Sequence, residues 1–327
     1  MLYIDVRIYL TEPALKNNKD KLNKIERAGL LGWLEYLLRG HIFNWFWRSR
    51  SQRKIIRETV HQEILTRELN SYIPFIKSLN AEPPRKDDTS DNDKIFTLWL
   101  QGEDYLPTIV KACIDSVRRY YPANFILIEE NNLKDYIELP PFILEKWHKK
   151  EMIAAHFADI VRIELLHKYG GYWIDATCFM TGKIPKAISD SDFVMLMANG
   201  KFNPYMFVQN CFIRAKKGSQ LLSMWRQLVL EYWKNDGDPL YYFNVQILFK
   251  LLVTYNEEAA GLFEKMIKIP MDPTHYLWYE IGDLPYDEKI YHYLVSQTFF
   301  QKCTYKHYRK GRKQIIPGSM IDVIFKS

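Results

Sequence analysis

At 327 residues the chain can bury a full hydrophobic core, and its 47% apolar and 26% charged residues exclude a disordered or fibrous protein. The net charge of +6 is unevenly spread: residues 14–57 hold eleven Lys and Arg against three Asp and Glu, residues 302–327 hold seven against one, and the remainder is acidic. Basic blocks suggest an anionic partner, with nucleic acid a weaker reading than anionic lipid or a pyrophosphate-linked acceptor. No Gly-rich phosphate loop, H-E-x-x-H or G-x-S-x-G is present, which removes the commonest NTPase, dehydrogenase, zinc-protease and esterase readings.

The N-terminus MLYIDVRIYLTEPAL has neither a basic leader nor a long apolar run. Cys113, Cys178, Cys211 and Cys303 are widely spaced in apolar contexts. Together these features lead us to expect reduced thiols and a cytoplasmic protein.

Residues 1–93 read as a helical region and linker, and residues 94–327 as an α/β domain. Between Ala28 and Trp47 an apolar, Trp-rich run is broken by Glu35, Arg39 and His41, so it falls short of a membrane span. Two readings stand: a helix lying in the membrane interface, in peripheral contact with anionic lipid at the inner face, or one docked on the α/β domain. Ile55–Leu79 reads as an amphipathic helix, and residues 80–93 as a polar linker.

Beyond the linker the pattern alternates. Strands are expected at 94–100 and 124–130, and helices from Pro107 to about Tyr120 and near 142–149. Further strands are expected at 192–197 and 205–215, the second a candidate for antiparallel pairing, and helices at 218–233 and 241–254. Strand, helix, strand alternation predicts a parallel sheet with crossovers.

The stretch around which this pattern is organised is IAAHFADIVRIELLHKYGGYWIDATCFMTG, residues 153–182. It predicts a helix stopped by Gly170 and Gly171, then a short buried strand, Tyr172 to Ile174, ending in Asp175. Glu164, His167 and Lys168 share the expected solvent side. Asp159 and Arg162, one turn apart, fall on the inward half, where charges are costly unless partnered. A structural ion pair is one reading. The other is a ligand site, because the carboxyl ends of strands are where open α/β sheets bind ligands.

The run AHFADIVRIELLHKYGGYWIDAT resembles the signature of the DXD-type sugar transferases of glycosyltransferase family 32, and most closely the capsular polysaccharide synthesis proteins. In that pattern an Asp and an Arg three apart on a helix precede a strand-end Asp-x-Asp by sixteen positions, the spacing of Asp159 and Asp175 here. The resemblance implies a GT-A-like, Rossmann-type mixed sheet flanked by helices. It implies a retaining enzyme that moves a sugar, a hexose, from a UDP- or GDP-sugar to a lipid-linked or oligosaccharide acceptor for capsule or other surface polysaccharide.

By the same resemblance Asp159 and Arg162 hold the donor's ribose and sugar, and Asp175 is the catalytic, metal-coordinating first carboxylate. Trp99 stacks on the donor base, unless it is a core Trp. Lys302, Lys306 and His307 reach the diphosphate, unless they belong to a solvated basic tail. Asn210 lies on the acceptor side, or is a strand-end hydrogen-bonding residue. Thr177 stands where the wider family has its second, metal-binding Asp, and a neutral hydroxyl is a weaker ligand for the Mn²⁺ or Mg²⁺ the family uses. The alternative is a catalytically degenerate nucleotide- or glycan-binding protein.

Overall fold

The continuous apolar runs become the strands of a central sheet in the computed structural model, which describes residues 50–81, 93–198, 200, 206–235, 242–306 and 315–326. The Trp-rich run at 28–47, most of the linker and His307 lie outside the described residues. The chain divides into two units, Met1–Ser71 and Tyr72–Ser327. In the first, helix α1 (Arg50–Glu68) buries Val60, Ile64 and Leu65, an i, i+4, i+5 stripe that suits a helix with one apolar side. The helix expected to run unbroken to Leu79 instead stops at a 3₁₀ turn, Leu69–Tyr72, before α2 (Ile73–Ser78). Pro74 explains the break: it is tolerated in the first turn of a helix and not in its middle.

In the second unit a six-stranded sheet is built from β1 (Ile95–Leu98), β2 (Phe125–Ile128), β3 (Gly171–Ile174), β5 (Phe193–Met197), β6 (Val208–Ala215) and β7 (Ile267–Pro270). Its order is β2-β1-β3-β6-β5-β7. β1 runs parallel to both β2 and β3, β6 runs antiparallel to β3 and β5, and β7 is parallel to β5. The fold is therefore a mixed α/β sheet flanked by helices, with the expected antiparallel strand in place. β1 and β3 are buried along their whole length, as strands covered on both faces are.

Helices α3 (Thr108–Tyr120), α4 (Leu133–Tyr136) and α5 (Pro141–His148) precede the long helix α6 (Ala154–Tyr169). A short strand β4 (Cys178–Met180) and helix α7 (Lys186–Asp190) follow β3, and after β6 come α8 (Gln220–Asn235), α9 (Asn244–Tyr255) and α10 (Glu257–Lys265). The chain closes through α11 (Glu288–Gln297), β8 (Phe300–Lys302) and α12 (Met320–Lys326). Several aromatic residues serve as packing: Trp173, Trp225, Trp233, Phe96, Phe212 and Phe249 are almost wholly buried.

Two features set the site. First, α6 packs against β1, β3 and α8, so it is covered on several sides. Glu164, expected on the solvent side, is buried and receives a 2.8 Å hydrogen bond from Arg226 of α8. Its place on the helix alone suggests exposure, and a second helix supplies the partner that lets this charge be buried. Second, β4 pairs antiparallel with β8, aligning Cys178 with Lys302. Ser116 of α3 accepts the Met180 amide at 2.8 Å, which anchors this small sheet. Among the described residues no helix is long and apolar enough to cross a membrane.

Candidate functional site

The helix-glycine-strand connection fixes the geometry. Gly170 has φ +68° and ψ −161°, a conformation essentially reserved for glycine, and a Cβ there would stand 2.5 Å from the Lys217 amide nitrogen. The chain can therefore turn directly from α6 into β3, which puts Asp159 and Arg162 of the helix within reach of Asp175 at the strand's end.

There the polar groups converge. Arg162 Nη1 lies 2.7 Å from Asp159 Oδ1, and its Nη2 donates to Asp175 Oδ1 at 3.1 Å. The Trp173 indole N–H donates to the same Asp175 oxygen at 2.8 Å, and the Arg162 guanidinium lies 4.9 Å from the centre of that indole. Lys302, delivered by β8, donates to Asp175 Oδ2 at 2.8 Å and to Thr177 Oγ1 at 2.6 Å. On the far side Asn210 of β6 donates to Asp159 Oδ1 at 2.9 Å, and Gln246 of α9 donates to Asn210 Oδ1 at 2.9 Å.

Burial and charge act differently on the two carboxyls. At Asp159, 7% exposed, burial dominates and raises the pKa to about 6 despite Arg162 and the Asn210 hydrogen bond. At Asp175 burial also pushes upward, but the charges of Lys302 and Arg162 and the hydrogen bonds from Lys302 and Trp173 outweigh it and hold the carboxyl below its ordinary value. Burial works against the Lys302 ammonium, and Asp175 overcomes it, so the amine stays protonated. Asp175 and Lys302 keep 24% and 18% of their side-chain surface exposed, so the cluster is open on one side.

Asp159, Arg162, Asp175, Thr177, Asn210 and Lys302 thus form one hydrogen-bonded network. Trp99 and Lys306 lie outside it: Trp99 meets Tyr305 edge-on at 5.4 Å between ring centres, and the exposed Lys306 has its Nζ 5.6 Å from the centre of the Tyr242 ring. Two buried donors, Arg162 Nε and Trp99 Nε1, have no acceptor among the described residues.

Two members were not legible as site residues. Trp173 reads as plain strand filling. Gln246 left a signal, one of two amides, with Asn244, among the buried residues of a largely apolar helix.

A divalent cation does not fit the cluster as arranged. Asp175 Oδ1 is taken by Arg162 and Trp173, its Oδ2 and the Thr177 hydroxyl are taken by Lys302, and no group of three metal-binding side chains occurs among the described residues.

A carboxylate at the end of a central strand of a mixed open sheet stands where α/β domains commonly bind their ligands. The chain belongs to the capsular polysaccharide synthesis protein family, whose model matches residues 42–323. It is similar to the O-glycosyltransferase braB of Annulohypoxylon truncatum, 28% identical over 167 residues that make up 46% of this chain and 39% of that protein. Similarity to the glycosyltransferase afumC of Aspergillus fumigatus is 23% identity over 165 residues, 45% of this chain and 42% of that one. The matches span about two fifths of the length of these relatives. The solved PaToxG glycosyltransferase matches with a TM-score of 0.38 and 15% identity, over 64% of this chain and 83% of that chain.

Proposed function

We propose that the chain is a glycosyltransferase that moves a sugar from a UDP- or GDP-sugar to a lipid-linked or oligosaccharide acceptor in surface polysaccharide synthesis. The observation that carries this reading is the meeting of Asp159 and Arg162 with Asp175 at the end of β3, on a face that stays partly open. Family membership and the similarity to named glycosyltransferases support it. Breaking a glycosidic phosphate bond leaves negative charge on the departing diphosphate, and fixed cations aimed at that charge are the largest help a protein can give. Arg162 and Lys302 are held in place by Asp175. Asp159, fixed by Asn210 and Gln246, orients Arg162 and offers a carboxylate to sugar hydroxyls. Retention of the anomeric configuration, which the family resemblance implies, would appear as matching anomers in donor and product.

The test is release of nucleoside diphosphate from a panel of UDP- and GDP-sugars by the full chain. One donor should turn over, and Asp175→Asn should lose about a hundredfold or more in kcat, the scale of losing an electrostatic contact at a reacting centre. A parallel thermal melt checks that the variant is folded. Unchanged turnover by a folded Asp175→Asn protein would end this reading.

A further inference from the structure

Resting on the transferase reading, a second conclusion comes from what stands between Asp175 and Thr177. We propose that the Lys302 ammonium occupies the place a divalent cation would take there, and is the positive group that receives the donor's diphosphate, so that the chain binds nucleoside diphosphates without a metal ion.

Geometry is the first support. Lys302 Nζ bridges Asp175 Oδ2 at 2.8 Å and Thr177 Oγ1 at 2.6 Å, the first and third positions of the strand-end motif. An ammonium has three hydrogens, and these acceptors use two, which leaves one for an incoming phosphate oxygen. Its side chain is 18% exposed, enough to meet a ligand from one side.

Charge is the second. Asp159 and Asp175 face Arg162 and Lys302, two carboxylates against two cations. A divalent ion added to this set would bring two more positive charges to a carboxylate whose oxygens are already engaged, with only a neutral hydroxyl as its further ligand. A single ammonium matches the one carboxylate it touches, and a hydroxyl accepts from it readily. Thr177, a weak metal ligand, is a good partner for Lys302.

Placement is the third. Lys302 is carried by a strand, not by a free tail. β8 is aligned with β4 so that Cys178 faces Lys302, and the Cys303 amide donates to the Thr177 carbonyl at 2.8 Å. The motif's third residue and the lysine are therefore joined by backbone as well as by side chain, which fixes the ammonium within the site as a bound ion would be fixed.

Isothermal titration of UDP and of GDP into the full chain, in EDTA and then with Mn²⁺, tests this. Expected is binding of one of them in EDTA with a Kd within about threefold of that in Mn²⁺, well inside the tenfold that 1.4 kcal/mol represents. Lys302→Ala should weaken binding in EDTA by about tenfold or more, as loss of a charge-assisted phosphate contact does, and Lys302→Arg should recover part of it. Thermal melts of both variants establish that they are folded. Binding that appears only with Mn²⁺, or a folded Lys302→Ala protein that binds as well as the parent in EDTA, would overturn the inference and leave the transferase reading standing. Failure to bind UDP or GDP in either condition would overturn the donor reading, and this inference with it.

Discussion

Asp159 carries the most constrained charge in the site. Burial pushes its carboxyl up to about 6, and Arg162 and Asn210 keep it from rising further. A carboxyl whose folded pKa lies above its ordinary value of 3.8 favours the fold below that value and loses this contribution as pH rises through about 6. The ionised state used at neutral pH is thus held at a cost to stability, and its return is the alignment of Arg162. Below pH 6 Asp159 takes up a proton and the ion pair to Arg162 loosens, while Asp175, held below its ordinary value, stays charged. Nucleotide affinity should therefore fall as pH drops through about 6. Asp159→Asn should bind weakly throughout and show a flatter profile, with a loss of about tenfold at pH 7.5. Titrations between pH 5 and 8 check this, and a parent profile that is flat across that range would show that Asp159 does not set Arg162.

Among the elements, the turn from α6 into β3 is the joint on which the site depends. Gly170→Ala must force a side chain into a glycine-only conformation against the Lys217 amide, 2.5 Å away. We expect a loss of about 3 kcal/mol in stability, near the upper end for a strained backbone position. Melting temperature and urea midpoint measure it, and a loss below about 0.5 kcal/mol, the scale of an indifferent surface change, would mean the turn is not the constraint described. This joint was legible in the sequence because its signals are local: a double glycine, an apolar run and a carboxylate follow one another within a few residues. β8 was not legible. It is only three residues long, and its partner Cys178–Met180 lies more than a hundred residues earlier, so nothing nearby in the chain distinguishes Lys302 from a solvated basic tail. The same limit explains Glu164, whose partner Arg226 comes from another helix, and the Gln246 to Asn210 bond, in which two polar residues lie within buried elements. Local periodicity gives the elements, and the site's outer partners arise from tertiary pairing.

At the scale of the whole molecule, the second unit buries two neutral histidines as well as the Asp159 carboxyl. Burial lowers His156 to about 4 against the pull of Asn244, and it lowers His275 to about 4 although the Met271 carbonyl opposes it. A histidine whose folded pKa lies below its ordinary 6.5 supports the fold above that value and withdraws its support as pH falls toward 4. Asp159 works in the opposite direction between about 6 and 3.8. Two histidines outweigh one carboxyl, so the contribution of these three groups on acidification from pH 7 to 4.5 is a loss on the order of 3 kcal/mol. His275→Gln removes one of the two titrating histidines, and the one that remains only slightly outweighs Asp159, so most of the slope should disappear even where the substitution lowers stability at neutral pH. Urea unfolding at intervals between pH 4.5 and 7.5 measures both slopes. A parent stability that is constant or rises as pH falls would show that the buried histidines do not govern how the fold responds to acid.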